Sequence, residues 1–238
     1  MNEFRFPKKK YIKSVTEYHQ NIIYTIEVIR YSSRLFKTLR NKKIVLEPRR
    51  LDLIINHSLR DLQMMFGWDS KGSNGNYRKC YLYLSKDIYR EIISQPNVTN
   101  RNHFRNAKVE HIVPIKYGVD QLKSRLLNDE EKVGDEEFLK VIFGPVGLVT
   151  KDEDKKLTQC GVVAKMPNPK FPLSRYSATE ISLINALDET EINQTNYKWS
   201  DHFDNLSNLP LPLTNGETLE DLFKKFIRNG EAWKDLFK

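Results

Sequence analysis

Ala107-Lys-Val-Glu110-His111-Ile112-Val113-Pro114 and, further on, Val146-Gly-Leu-Val-Thr150-Lys-Asp-Glu-Asp154-Lys-Lys-Leu157 decide how this chain is read. Each opens on a short apolar run of strand length. The first run ends in a carboxylate and an imidazole side by side. The second closes on a threonine and passes into a charged helix start. Thr150 suits a helix N-cap, because its hydroxyl can accept a hydrogen bond from the first turn. The residues therefore predict strand, loop, strand and helix, with Glu110 and His111 ending the first strand and Asp154 in the helix. One carboxylate from each element can hold a divalent cation, and a neutral imidazole beside them can take a proton from water. Those are the requirements of single-metal phosphodiester hydrolysis.

The arrangement resembles the HNH, or ββα-metal, nuclease family. There a strand ends in Asp/Glu-His, an apolar pair and proline, and the last ligand lies in the helix after a second strand. Matched residue by residue, His111 takes the place of the general base, Glu110 the ligand before it, and Asp154 the ligand in the closing helix. Gly161-Val-Val-Ala-Lys-Met-Pro167 and then Ser174-Arg175-Tyr176 are similar to a tail of some bacterial HNH proteins. The resemblance covers residues 105–176. It implies a DNA endonuclease that uses one Mg²⁺ or Mn²⁺, held by Glu110 and Asp154, and leaves 5′-phosphate and 3′-hydroxyl ends. It also implies hard oxygen ligands, which suit such cations.

The chain departs from the family pattern at three places. Val146-Gly147 supplies no asparagine where the family has one bracing the loop behind the base. The helix ligand is Asp154 rather than His or Asn. The span from His111 to Thr150 exceeds the compact core and calls for a helical insert, over 119–127 or 136–142. Val119, Leu122 and Leu126 have the spacing of one helix face. The acidic clusters at 129–131 and 135–137 read as solvated loop. An HNH-like protein that binds nucleic acid without cutting, and a toxin-like nuclease acting on RNA, stay open as alternatives.

Charge points the same way. The 238 residues carry a net charge of +8, and 29% are charged. Residues 1–50 hold 13 Lys/Arg against 4 Asp/Glu, a balance of +9, so the remainder, at −1, is close to neutral. Such a basic segment fits a phosphate backbone, whose neutralisation releases counterions. Within it, Ile22, Ile23, Ile26, Ile29 and Phe36 share one helical face, while Arg30, Arg34, Lys37 and Arg40 gather on another part of the surface. A second helix follows Pro48, with Leu51, Ile54, Ile55, Leu59, Leu62 and Phe66 apolar and Arg49, Arg50 and Arg60 basic. Lys151 and Lys155 are further candidates for phosphate contact, or ordinary exposed helix charge. Duplex DNA is the expected partner, with RNA, a homo-oligomer or a protein partner left open.

The fold class expected is α+β, mainly α. It comprises a basic, mostly helical region over 1–100, an HNH-like core with a helical insert over 101–178, and a C-terminal helical region over 179–238. Within these, 80–84 alternates as a strand, 86–93 is helical, 179–187 contains a helical stretch, and Thr218 with Asp221 caps a terminal helix. Gly72 and Gly75 lie in a polar break without the Gly-Lys-Ser/Thr of a phosphate-binding loop. Cys80 and Cys160 suit two free thiols in a reducing cytoplasm, one disulfide being the alternative. The N-terminus lacks a signal-peptide run, and no apolar stretch is long enough to span a bilayer. Of the remaining histidines, His19 and His57 fall in the amphipathic helices, His103 in a loop, and His202 has no local context.

Overall fold

The computed structural model describes residues 81–94, 106–127 and 146–209, with the backbone alone at 122–127 and 146. It also describes single positions at 35, 38, 39, 42, 53, 56, 57, 60, 217, 218, 220 and 221. Among these residues the architecture is α+β. Strand β1 (Tyr83–Ser85) runs into helix α1 (Lys86–Ser94), and strand β2 (Ala107–His111) precedes α2 (Ile115–Leu127). Strand β3 (Val146–Thr150) leads into α3 (Lys151–Gln159), followed by the short α4 (Ser174–Ser177), strand β4 (Leu183–Asn185) and α5 (Trp199–Ser207).

The strands form one mixed sheet in the order β2-β3-β1-β4. β2 and β3 are antiparallel, with Ala107 opposite Thr150 and His111 opposite Val146. β1 runs parallel to β3 and antiparallel to β4. The two central strands are buried throughout their described side chains, including Tyr83, Leu84, Leu148 and Val149. Central strands covered on both faces lose the apolar–polar alternation that an edge strand keeps. Leu84, Leu148, Tyr81 and Ile88 of α1 build one core cluster, against which Tyr89, Ile92 and Val109 pack.

Two strand-to-helix passages are closed by side chains. Thr150 Oγ1 accepts from Glu153 N at 3.1 Å, and Glu153 Oε2 accepts from Thr150 N at 2.6 Å, a reciprocal capping box. At the far end of α3, Val162 N reaches Leu157 O and Gly161 N reaches Thr158 O. With Gly161 at φ 68°, this is the Schellman geometry that glycine adopts without a Cβ penalty. Strands β2 and β3, helices α1 and α3, and the Thr218–Asp221 cap stand where the sequence predicts them, and the helix expected over 119–127 begins earlier, at Ile115. The strand expected over 80–84 is placed at Tyr83–Ser85.

The stretch expected to be helical over 179–187 is instead turn and strand. Leu183, Ile184 and Asn185 lie buried against β1, and Asn185 N bonds Thr190 O. The gain is the third side of a sheet that would otherwise leave β1 as an open edge, which outweighs local helical spacing. β1 and β4 both lie outside residues 101–178, yet they complete the sheet to which β2 and β3 belong. Cys160 is free and exposed. Cys80, His19, His103, the face expected over 16–40 and the insert over 136–142 lie outside the described residues. No described helix is long and apolar enough to cross a membrane.

α5 is anchored by polar bonds rather than by apolar packing alone. His202 is fully buried, and its Nδ1 lies 2.6 Å from the Tyr83 hydroxyl. That hydroxyl lies 2.9 Å from Tyr197 Oη, which accepts from Asn205 Nδ2 at 2.6 Å and reaches Asp201 O at 3.3 Å. If Tyr197 donates to Asp201 O, Tyr83 donates to Tyr197 and His202 Nδ1–H to Tyr83. Every hydroxyl is then used, and only a lone pair remains on Nε2, which has no partner. Burial pushes the imidazole from 6.5 down to about 3.

Two expectations follow. A Cβ on Gly147 would stand 2.6 Å from Ile112 Cδ1 and 2.9 Å from the backbone oxygen of Tyr83. Gly147→Ala should therefore destabilise by about 1–3 kcal/mol, the range for forced overpacking, as read by urea unfolding. A loss under a few tenths would show that the β3–β1 approach is loose. For His202, the unfolded chain takes up a proton below 6.5 that the folded chain refuses until about 3. Stability contributed by this group is thus full above 6.5 and falls as pH drops, with a slope approaching about 1.4 kcal/mol per pH unit. His202→Asn, measured over pH 7 to 4.5, should remove one proton's worth of that slope. An unchanged slope would place the acid sensitivity elsewhere.

Candidate active site

Glu110 and His111 end β2 at the edge of the sheet, both half-buried. Behind them Ile112 and Val113 are wholly buried, and Pro114 accepts the first bond of α2, from Gly118 N at 3.2 Å. The buried apolar pair and the proline leave the chain little freedom just after the imidazole. Opposite Glu110 stands Gly147. The tight contacts that a Cβ would meet there explain why this position holds no larger side chain such as asparagine.

α3 starts at the other end of the hairpin, where Lys151 N bonds Asn106 O, and packs back over β2 and β3. Its first turn holds three carboxylates with three different fates. Glu153 closes the capping box. Asp152 is exposed and paired with Lys155 at 2.9 Å. Asp154 is half-buried, its carboxylate makes no hydrogen bond among the described residues, and its charge acts on Glu110. Of the three, Asp154 is the one whose charge acts on Glu110.

Arg175, from α4, completes the group. It is fully buried, and its Nη2 donates to Glu110 Oε1 at 2.5 Å, to the carbonyl oxygen of His111, and to Tyr176 Oη at 2.8 Å. Nη1 donates to Val163 O at 3.1 Å. Glu110 Oε2 makes no hydrogen bond among the described residues. Burial alone works against the guanidinium's charge, but Tyr176 and Glu110 outweigh it and hold the pKa above its ordinary value.

The electrostatics set the protonation states. Burial raises Glu110, Arg175 and Arg60 oppose it, and Asp154 adds to the rise. Burial, followed by Arg60 and Arg175, lowers His111 to about 4, so its imidazole is neutral near pH 7. Arg60, on a described helical position of the basic region, thus lies within electrostatic reach of both residues while remaining exposed. This arrangement can offer one carboxylate oxygen from each of two elements, a neutral proton acceptor, and an exposed cation. Among the described residues no three His, Cys, Asp or Glu side chains group as metal ligands.

Glu110 and His111 stand together at the end of β2, and the charge of Asp154, from α3, acts on Glu110. Lys151 and Lys155 lie exposed on α3, Lys155 in its local ion pair with Asp152. Arg30, Arg34, Lys37 and Arg40 lie outside the described residues. Sequence reading missed the part Arg175 plays here. Its tripeptide stood out, but nothing local ties residue 175 to residue 110.

Glu110→Ala should leave the buried Arg175 without its counter-ion. A loss of about 3–5 kcal/mol is expected, as for breaking other buried pairs, measured by urea unfolding at pH 7. A change below about 1 kcal/mol would mean that water or another acceptor replaces the carboxylate at no cost.

No known protein family, curated protein or solved structure matches this chain.

Proposed function

We propose that this protein is a metal-dependent DNA endonuclease of HNH type. The single observation that carries the reading is a strand–strand–helix unit with Glu110 and His111 at the end of β2 and, in α3, Asp154, whose charge acts on Glu110, His111 being neutral near pH 7. A neutral imidazole is the form that can accept a proton from an attacking water. The donor set fits a hard cation. Glu110 Oε2 and the Asp154 carboxylate are oxygen donors without hydrogen bonds among the described residues, and Mg²⁺ is commonly held by one or two carboxylates with water and phosphate completing the shell. Glu110 and Asp154 would hold the ion, which when bound polarises the phosphoryl group and stabilises the departing oxygen.

The remaining steps belong to the chain itself. His111 takes the water proton on a ring nitrogen, and Arg175 keeps the strand end from shifting as the imidazole gains charge. Arg60 offers exposed positive charge beside the site, on the same basic region that is proposed to grip duplex DNA through Arg30, Arg34, Lys37 and Arg40. A second reading, nucleic-acid binding without cleavage, draws on one observation: Arg175 already occupies one oxygen of Glu110, leaving a small ligand set.

Purified protein incubated with supercoiled plasmid should nick or linearise it with Mg²⁺ or Mn²⁺ and fail to do so with EDTA. His111→Ala should lower the rate about 10²–10⁴-fold, the range for a positioned general base, while DNA retention in a gel-shift assay stays close to wild type. Asp154→Asn should weaken metal-dependent cleavage more than Asp152→Asn, whose carboxylate faces solvent. Tight DNA binding without any cleavage would favour the second reading, and cleavage of RNA alone would reassign the substrate. A folded His111→Ala protein that cuts at the wild-type rate would remove the base assignment.

A further inference from the structure

Arg175 is fully buried beside the site, and its bonds have an unusual distribution, all of them through Nη1 and Nη2 while Nε has no partner among the described residues. Three of the four go through one nitrogen, Nη2, and two of those reach adjacent residues of β2: the Glu110 carboxylate and the His111 carbonyl. The other two bonds anchor the guanidinium to its own surroundings, Tyr176 Oη and Val163 O. A guanidinium is planar and rigid, so fixing it at two points fixes the direction of its remaining donors. The Tyr176 ring lies beside it, 4.9 Å from the guanidinium carbon, and both residues are fully buried.

We infer that Arg175 is a positioning residue, which clamps Glu110 Oε1 and the His111 backbone together so that Glu110 Oε2 is the oxygen left for a divalent cation. This rests on the nuclease reading above and adds a residue to it. Three facts favour positioning over charge balance alone. The guanidinium spends a donor on the backbone of the very residue that carries the imidazole, which a simple counter-ion has no need to do. It holds one carboxylate oxygen and leaves the other without a hydrogen bond, so the carboxylate is oriented rather than occupied. On the far side Tyr176, itself fully buried, holds the guanidinium through its hydroxyl, so the clamp is braced from within the core. Outer groups that orient a ligand in this way typically govern metal affinity or activity by about 10–100-fold.

The test uses the full-length protein and Mn²⁺ alone as the probe. Its affinity is measured by calorimetry for wild type, Arg175→Lys, Arg175→Met and Tyr176→Phe. Folding is followed by circular dichroism, and plasmid cleavage is measured in parallel. Arg175→Met should bind Mn²⁺ about 10–100-fold more weakly per folded molecule. Arg175→Lys, which keeps the charge and can reach some of the Nη2 acceptors, should recover part of that loss. Tyr176→Phe, which removes one anchor and no charge, should show a smaller loss in the same direction.

A merely structural role would lower the unfolding midpoint of these variants and leave the Mn²⁺ affinity of the folded fraction at the wild-type value, and that result overturns the clamp. Should Arg175→Met fail to fold, the lysine and phenylalanine variants decide between the same two outcomes. Wild-type protein that binds no Mn²⁺ and cuts no plasmid overturns the nuclease reading and the clamp with it. Wild-type binding and cleavage with unaffected variants overturns the clamp alone.

Discussion

A single buried cation ties the end of an edge strand to a segment far along the chain. Arg175 is wholly removed from solvent, and a guanidinium in that position is costly unless its charge is paired. Glu110 pairs the charge, and the His111 carbonyl, Tyr176 and Val163 take further donors, while Nε alone has no partner among the described residues. The demand is mutual, since Glu110 is itself half-buried and driven toward its neutral form by burial. The geometry of the candidate site thus follows from the need to satisfy one charge.

The same logic of close approach runs through the sheet. Gly147 lies between Tyr83 on one side and Glu110 on the other, and only a hydrogen fits beside Tyr83 O and Ile112. A larger residue would push β3 away from β1 and disturb the hairpin that carries Glu110 and His111. The brace behind the strand end is instead provided from α4, by a long side chain with five donors. One small residue and one large one therefore act on the same strand end, Gly147 opposite Glu110 and Arg175 bonded to it.

At the opposite edge, the Tyr83–His202–Tyr197–Asn205 network plays a comparable part for α5. Buried polar groups cost stability unless bonded, and a bonded network admits few alternative packings. Here it fixes the helix to the central strand and to Asn185 of β4, through Asn205. Its imidazole is neutral because burial disfavours the charged form. His111 is neutral mainly for the same reason, with Arg60 and Arg175 adding to it, yet it stands half-buried at a strand end rather than sealed in the core. The two histidines show how similar proton affinities arise in a structural and in a candidate reactive setting.

Much of the hairpin-and-helix unit is legible in the residues themselves. Short apolar runs, Thr150 as a cap, the helical pattern over 86–93 and the spacing of Val119, Leu122 and Leu126 are local signals, with partners a few positions away. The side-by-side Glu110 and His111 are local as well, and so is the carboxylate-rich start of α3. What remained invisible depends on pairing across distance. Local spacing over 179–187 favoured a helix, but the open edge of β1 recruited Leu183–Asn185 as a strand. That Glu153 is spent on the capping box and Asp152 on Lys155, while the charge of Asp154 acts on Glu110, appears only in the folded chain. His202 had no neighbours in sequence to explain it, and Arg175 lies 65 positions from Glu110. Composition and periodicity encode what a residue prefers among its near neighbours. The partner that satisfies a buried charge or an unpaired strand edge is chosen only when the whole chain has folded.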